Sequence, residues 1–273
     1  MRVIVTRVQP QARQWVQMLQ ATHQAVALPL METAGLADTA ALLSAWQHRG
    51  DYHALMFVSS HAVNYFFLSK QALAQSDNRF DASNTRAWAT GPGTRTALLA
   101  QGLAAALVDS PPIDAGQYDS EALWQQVKHQ VGPGVRVLIV RGDTQDLSEA
   151  SADVKAGPRG SVGVGRDWLA QRLQSAGAQV DFVVAYQRVA PVWTPPQLAT
   201  AQAGATDGSI WLFSSAEALT HLRTLLPSQA WSAARAVATH GRIAEAARQL
   251  GFGVVSESRP TLVSVLASIE SMA

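Results

Sequence analysis

Three short words occur twice in this chain, in the same order, and that recurrence restricts it to a fold built from one α/β unit in two copies. Arg2-Val3-Ile4-Val5-Thr6-Arg7 is matched by Arg136-Val137-Leu138-Ile139-Val140-Arg141. Val58-Ser59-Ser60-His61-Ala62 is matched by Phe213-Ser214-Ser215-Ala216-Glu217, and Ala87-Trp88-Ala89-Thr90-Gly91 by Ala236-Val237-Ala238-Thr239-His240. The intervals between matched words drift, so this is no solenoid of fixed period. The stretch from Arg141 to Ser214 exceeds that from Arg7 to Ser59 by about the length of Thr144–Gly165, which is rich in Ser, Ala, Gly and Pro. Thr144–Gly165 therefore reads as an insertion, either a lid or a tolerated surface loop.

Short apolar runs alternate with helical patterns along the whole chain. Extended segments are expected at Val3–Val5, Val26–Leu30, Tyr52–Val58, Ala87–Ala89, Leu103–Val108, Arg136–Val140, Gln179–Val189, Ser209–Phe213 and Arg235–Ala238. Pro29 argues that its segment is an edge. After Pro10, Trp15, Met18 and Leu19 recur at helical spacing. Further helices are expected at Leu36–Trp46, with Asp38 or Thr39 near the start, and at Ala62–Leu68. Thr94–Gln101 stops at Gly102, Asp167–Ser175 at Gly177 and Ile243–Leu250 at Gly251. Ser120 caps a helix to about Val131, and Ala216–Leu225 and Leu262–Ser271 complete the set.

Strands alternating with helices imply parallel sheets, because each crossover buries its helix on a sheet face. Ligands of such sheets sit at the carboxyl ends of strands. Arg7, Ser59, Thr90, Arg141, Ser214 and Thr239 all fall at those ends. Two similar units facing each other would form a cleft lined by these words.

Composition narrows the class. The 273 residues amount to about two domains, at roughly 100–200 residues each. With 48% hydrophobic and 15% charged residues, the chain has enough apolar surface for sizeable cores. No apolar run approaches the roughly 20 residues of a membrane span. The opening strand lacks a signal-peptide pattern, so a cytoplasmic location is expected. Without cysteine there is no disulfide framework or thiolate chemistry. A net charge of +1 gives no reason to expect a nucleic-acid partner, and any anion site must be local.

Each candidate residue has a bland reading beside the chemical one. Ser59-Ser60 and Ser214-Ser215 precede helices, where a serine caps backbone N–H groups. The same N–H groups bind an anion when left open. Gly91-Pro92-Gly93-Thr94 lacks both the third glycine of a dinucleotide loop and the Lys-Ser/Thr of a P-loop. A turn offering N–H groups and the Thr94 hydroxyl to a carboxylate fits it better. The histidines show no metal-ligand spacing, and no metal is expected. His240, at a strand end, reads as a helix cap. Arg7, Arg141 and Arg166 lie near strand ends, where they serve as surface ion partners or as a polyanion site. Tyr186, in the long extended segment, is either packing with one hydrogen bond or a proton donor to a leaving group.

These words, in this order, resemble uroporphyrinogen-III synthase. The likeness is carried by Val5-Thr6-Arg7, Phe57-Val58-Ser59-Ser60-His61-Ala62-Val63, Gly91-Pro92-Gly93-Thr94-Arg95-Thr96-Ala97-Leu98, Ser120-Glu121-Ala122-Leu123 and Val140-Arg141-Gly142-Asp143. It continues through Gly165-Arg166-Asp167-Trp168-Leu169, Val184-Ala185-Tyr186-Gln187-Arg188, Phe213-Ser214-Ser215 and Ala238-Thr239-His240-Gly241-Arg242. Only Thr144–Gly165 falls outside it.

The resemblance implies two α/β domains, each a parallel sheet flanked by helices, joined by a two-strand connector with the active site in the cleft between them. Residues 1–33 and 188–273 would form a discontinuous first domain, and 36–184 the second, with the insertion at 144–165. The implied reaction closes hydroxymethylbilane, a linear tetrapyrrole with eight carboxylates, into uroporphyrinogen III. Water is lost and the terminal ring is inverted through a spiro intermediate. No cofactor is needed. By carry-over Tyr186 assists departure of the hydroxyl group, and Arg7, Ser59, Ser60, Thr94, Arg141, Arg166, Ser214, Ser215 and Thr239 bind substrate. Relatives often have Gly-Pro-Thr-Thr where this chain has His240-Gly241-Arg242-Ile243, so Arg242 is expected to replace a lost hydroxyl as a carboxylate ligand. A monomer in transient contact with the preceding pathway enzyme is expected. The competing class is a cytoplasmic two-domain sensor that binds a small anion without catalysis. An unrelated cofactor-free lyase on the same fold, lacking isomer selectivity, also stays open.

Overall fold

The computed structural model describes residues 1–69, 84–112, 120–144 and 164–272. From the amino terminus the chain forms β1 (Arg2–Val5), α1 (Gln11–Leu19), β2 (Gln24–Ala27), β3 (Glu32–Ala34), α2 (Ala40–Gln47), β4 (Ala54–Phe57), α3 (Ser60–Leu68), β5 (Arg86–Ala89), α4 (Pro92–Ala100), β6 (Val108–Asp109), α5 (Ser120–Val127) and β7 (Arg136–Thr144). It continues with α6 (Val164–Ser175), β8 (Gln179–Val189), α7 (Pro195–Ala203), β9 (Ile210–Phe213), α8 (Ala216–Leu225), β10 (Arg235–Ala238), α9 (Gly241–Leu250), β11 (Val254–Glu257) and α10 (Leu262–Glu270).

The chain divides into two compact units, Met1–Thr33 with Val189–Ala273, and Ala34–Arg188. The first holds a five-stranded sheet in the order β11-β10-β9-β1-β2, and the second a six-stranded sheet in the order β3-β8-β7-β4-β5-β6. Neighbours in the five-stranded sheet pair in parallel. So do β8, β7, β4, β5 and β6, and β3 lies beside β8. The sequence copies run from β1 to α5 and from β7 to α10, but neither copy is a unit. The opening strands of each copy join the later strands of the other: β1 and β2 complete the sheet of β9–β11, and β7 and β8 complete that of β4–β6.

Strand periodicity explains the cores. In the first unit Ile4, Trp211, Phe213, Ala236 and Ala238 point to one face, where Trp231 and Phe252 join them. Val3, Val5, Ile210, Leu212 and Val237 point to the other, as the alternation of side chains along a strand requires. Helices α8 and α9 cover the first face through Leu219, Leu222 and Ala244. The second is covered by α1 and α10 through Trp15, Leu19, Val265 and Ile269. Met18, expected among the apolar positions of α1, is 40% exposed instead. In the second unit Trp46, Phe57, Phe66 and Phe67 form one aromatic cluster, with Trp46–Phe67 at 5.1 Å and Phe57–Phe66 at 5.5 Å between ring centroids. Such offset and edge contacts each add about 0.5–1.5 kcal/mol beyond burial.

The structure departs from the expected elements where local pattern is weak. Leu103–Val108 is mostly a tight 3-10 turn over Ala105–Leu107, and pairing is confined to Val108–Asp109. Helix α7 and strands β3 and β11 are not among the expected elements, because Pro195-Pro196 resembles a loop and β3 and β11 are short edge strands with no buried position. Pro at the first helical position fits a helix start. The insertion expected at 144–165 lies outside the described residues except at its ends, where Thr144 closes β7 and Val164 opens α6.

Candidate functional site

In the second unit the turn from β4 into α3 meets Tyr186, which projects from β8 and is 2% exposed. Its hydroxyl lies 3.1 Å from Ser59 Oγ. Ser59 is the extended residue that caps α3, and its Oγ also accepts the Ala62 N–H at 3.1 Å. The His61 ring sits 5.8 Å from that of Tyr186. Burial above all, and then the charge of Arg188, push the His61 imidazolium pKa below its usual value.

Sheet register corrects the pairing of the serine words. Phe57 is level with Ala89 and Val140, and Phe213 is level with Ala238. Phe57 thus corresponds to Phe213, and Ser59 to Ser215 rather than to Ser214. Ser215 is the helix-capping residue of α8, as Ser59 is of α3, but its side chain makes no capping bond. The serine words match one residue out of phase because both places carry Ser-Ser. Ser60 opens α3, and Ser214 directly follows β9.

The threonines split between structure and site. Thr90 Oγ1 donates to Val58 O at 3.3 Å, tying two strand ends together. Thr239 is buried, and its N–H donates to Phe213 O at 3.0 Å. Thr94 is buried in the first turn of α4, whose cap Gly91 provides no side-chain bond and whose first residue is Pro92. Register makes Ile243 its counterpart in α9, so only the second unit keeps this hydroxyl.

The arginines occupy unlike settings. Arg7 lays its guanidinium 4.5 Å over the Trp15 ring. Its Nε is buried with no hydrogen-bond partner among the described residues, and burial lowers its pKa while the group stays cationic. Arg141 lies within β7 rather than beyond its end, with its guanidinium 4.9 Å over Phe182. Arg166 belongs to α6, and its side chain lies outside the described residues. Arg242, in the first turn of α9, is exposed, and its N–H donates to His240 Nδ1 at 3.3 Å. His240 is thus a helix cap.

Electrostatics ranks the helix starts. A helix N-terminus attracts carboxylate, but α8 carries Glu217 in its own first turn. At α9, Glu257 lies close enough that a Cβ on Gly241 would be 3.2 Å from its Oε2. The first turns of α3 and α4 contain no acidic residue. The second unit therefore offers the more receptive turns. A cavity of about 420 Å³ bounded by Ser44, His48, Tyr52, Arg136 and Asp181 lies at the amino ends of β7 and β8, away from these turns. Among the described residues no group of three or more histidine or acidic side chains is arranged to hold a metal ion, and no helix is long and apolar enough to cross a membrane.

Residues 15–267 match the sequence profile of the family described as uroporphyrinogen-III synthase HemD. The uroporphyrinogen-III synthetase of Helicobacter pylori has a similar fold, with a TM-score of 0.55 at 16% identity over 100% of both chains. A mutant uroporphyrinogen III synthase of Thermus thermophilus aligns with a TM-score of 0.49 and 14% identity, covering 100% of this chain and 98% of that one. No curated protein sequence matches. Because the profile covers nearly the entire chain, the protein belongs to the uroporphyrinogen-III synthase family, enzymes of haem biosynthesis.

Proposed function

We propose that this chain is a cyclising lyase that converts hydroxymethylbilane into uroporphyrinogen III. The terminal hydroxyl departs as water, leaving an electron-poor azafulvene. Ring closure then occurs at the substituted carbon of the last pyrrole, and the spiro intermediate rearranges with that ring inverted. Without an enzyme, closure gives the uninverted type I isomer. Catalysis is therefore largely a matter of holding the chain ends so that one of two competing closures wins.

The observation that carries the reading is the Tyr186–Ser59 hydrogen bond of 3.1 Å at the strand ends. Tyr186 gives its proton to the departing hydroxyl and is restored by the pyrrole N–H proton lost as the azafulvene forms. Ser59 then donates to the phenolate while its Oγ goes on accepting the Ala62 N–H, so the start of α3 stabilises the developing charge. The substrate carboxylates are taken by Arg7, Arg141, Arg166 and Arg242, by the Thr94 turn of α4, and by Ser60, Ser214, Ser215 and Thr239. The protein works as a cytoplasmic monomer and receives its substrate from the enzyme before it.

The test is consumption of freshly generated hydroxymethylbilane by purified protein. Consumption well above the spontaneous rate is expected. A folded sample that leaves the spontaneous rate unchanged would favour a non-catalytic binder.

A further inference from the structure

We infer that Gly142 and Tyr65 are positioning residues for the Tyr186 phenol, an inference that rests on Tyr186 being the proton donor. Strands β7 and β8 run in register as far as Arg141 opposite Val184, and the next pair is Gly142 opposite Tyr186. Ala185 is thus an extra residue on β8, a β-bulge. Bulges re-aim side chains, often next to active sites. Here the one-residue slip brings Tyr186, 2% exposed, level with Gly142.

The bulge delivers the phenol onto a residue with no side chain. A Cβ on Gly142 would stand 2.4 Å from Tyr186 Cζ and 2.6 and 2.8 Å from its Cε atoms. These are the ring atoms at the hydroxyl end. Carbon atoms settle about 3.5–4.0 Å apart, so any side chain at 142 drives the hydroxyl away by about 1 Å. A displacement of about 1 Å in a catalytic group can cost about 100-fold in rate.

Helix α3 supplies the remaining support twice over. Ser59, at its start, holds the hydroxyl. Tyr65, further along the same helix, stacks on the ring at 5.6 Å with 19° between planes. The phenol is therefore fixed by a bulge, a missing side chain, a stacked ring and a hydrogen bond. The first two come from β7 and β8, and the last two from α3.

The experiment measures kcat and KM with hydroxymethylbilane for wild type, Gly142→Ala, Tyr186→Phe and the double variant. Gly142→Ala is expected to lower kcat about 100-fold with KM within about twofold. Added to Tyr186→Phe it should cost less than about threefold more, because the hydroxyl it misplaces is already absent. A wild-type kcat in Gly142→Ala, or equal losses in both backgrounds, overturns the inference and leaves the proton-donor reading intact. A wild-type kcat in Tyr186→Phe removes the proton-donor reading, and the inference with it. Should Gly142→Ala fail to fold, Tyr65→Leu leaves the bulge backbone untouched. It is expected to lower kcat about tenfold in the wild-type background and hardly at all beside Tyr186→Phe. Equal losses there overturn the inference too.

Discussion

Tyr186 Oη and Ser59 Oγ lie 3.1 Å apart, although 127 residues separate them in sequence. Ser59 faces two partners at once, accepting from the start of α3 and bonding the phenol. A serine that only capped a helix would need the first contact alone. The second joins the repeated strand-end word to the long strand β8.

Tyr186→Phe removes the hydroxyl and keeps the ring stacked on Tyr65. General acid catalysis contributes about 100-fold or more, so kcat is expected to fall by about that factor with KM within about twofold. Steady-state kinetics on the purified variant checks this. Unchanged turnover would place the proton donor elsewhere.

The two serine caps should differ in stability. Ser59→Ala removes a formed capping bond and should cost about 1 kcal/mol. Ser215 makes no such bond, so Ser215→Ala should cost less than about half of that. Urea denaturation of both variants measures the difference. Equal costs would mean that the caps are equivalent in solution.

Arg242 is exposed at the start of α9. As a carboxylate ligand it should raise KM several-fold when changed to alanine, with kcat unchanged. Stability should stay within about 0.5 kcal/mol, as for most surface substitutions. A wild-type KM takes Arg242 out of the site.

The pH dependence of stability should report His61. Its folded pKa is depressed, so the unfolded chain binds the proton more tightly. The stability it contributes is complete above the ordinary histidine pKa of about 6.5, and is lost as pH falls from there through the lower folded value. The urea midpoint of wild type should therefore drop more between about pH 7.5 and about pH 5.5 than that of His61→Asn. Equal drops would contradict the depressed pKa.

Much of the fold was legible because local pattern and tertiary burial agree. Gln179–Val189 reads as one extended run and is β8 without change at either end. Gly251 reads as a helix stop and closes α9 at φ +102°. Where the two signals part, the reading slips. Trp15 and Leu19 of α1 face the core of the first unit, but Met18, at a neighbouring helical angle, does not. Matched words revealed the copies without showing that β1–β2 and β7–β8 exchange between them, since only pairing decides which strands share a sheet. Of the candidate site, the strand-end placement of Ser59 and Ser215 was legible. Its fine structure was not: Ser-Ser in both copies hid a one-residue shift. The glycine that admits the Tyr186 ring follows from a bulge, which no periodicity announces. Gly142 stands in Arg141-Gly142-Asp143, just past the apolar run Val137–Val140, where a glycine reads as the turn that ends a strand.

The most direct test is the ratio of type III to type I porphyrin after the protein acts on freshly generated hydroxymethylbilane and the products are oxidised and separated. Predominantly type III is predicted, since only a site that holds both chain ends can enforce ring inversion. Type I formed at the rate seen without protein, from a folded sample, would contradict the account.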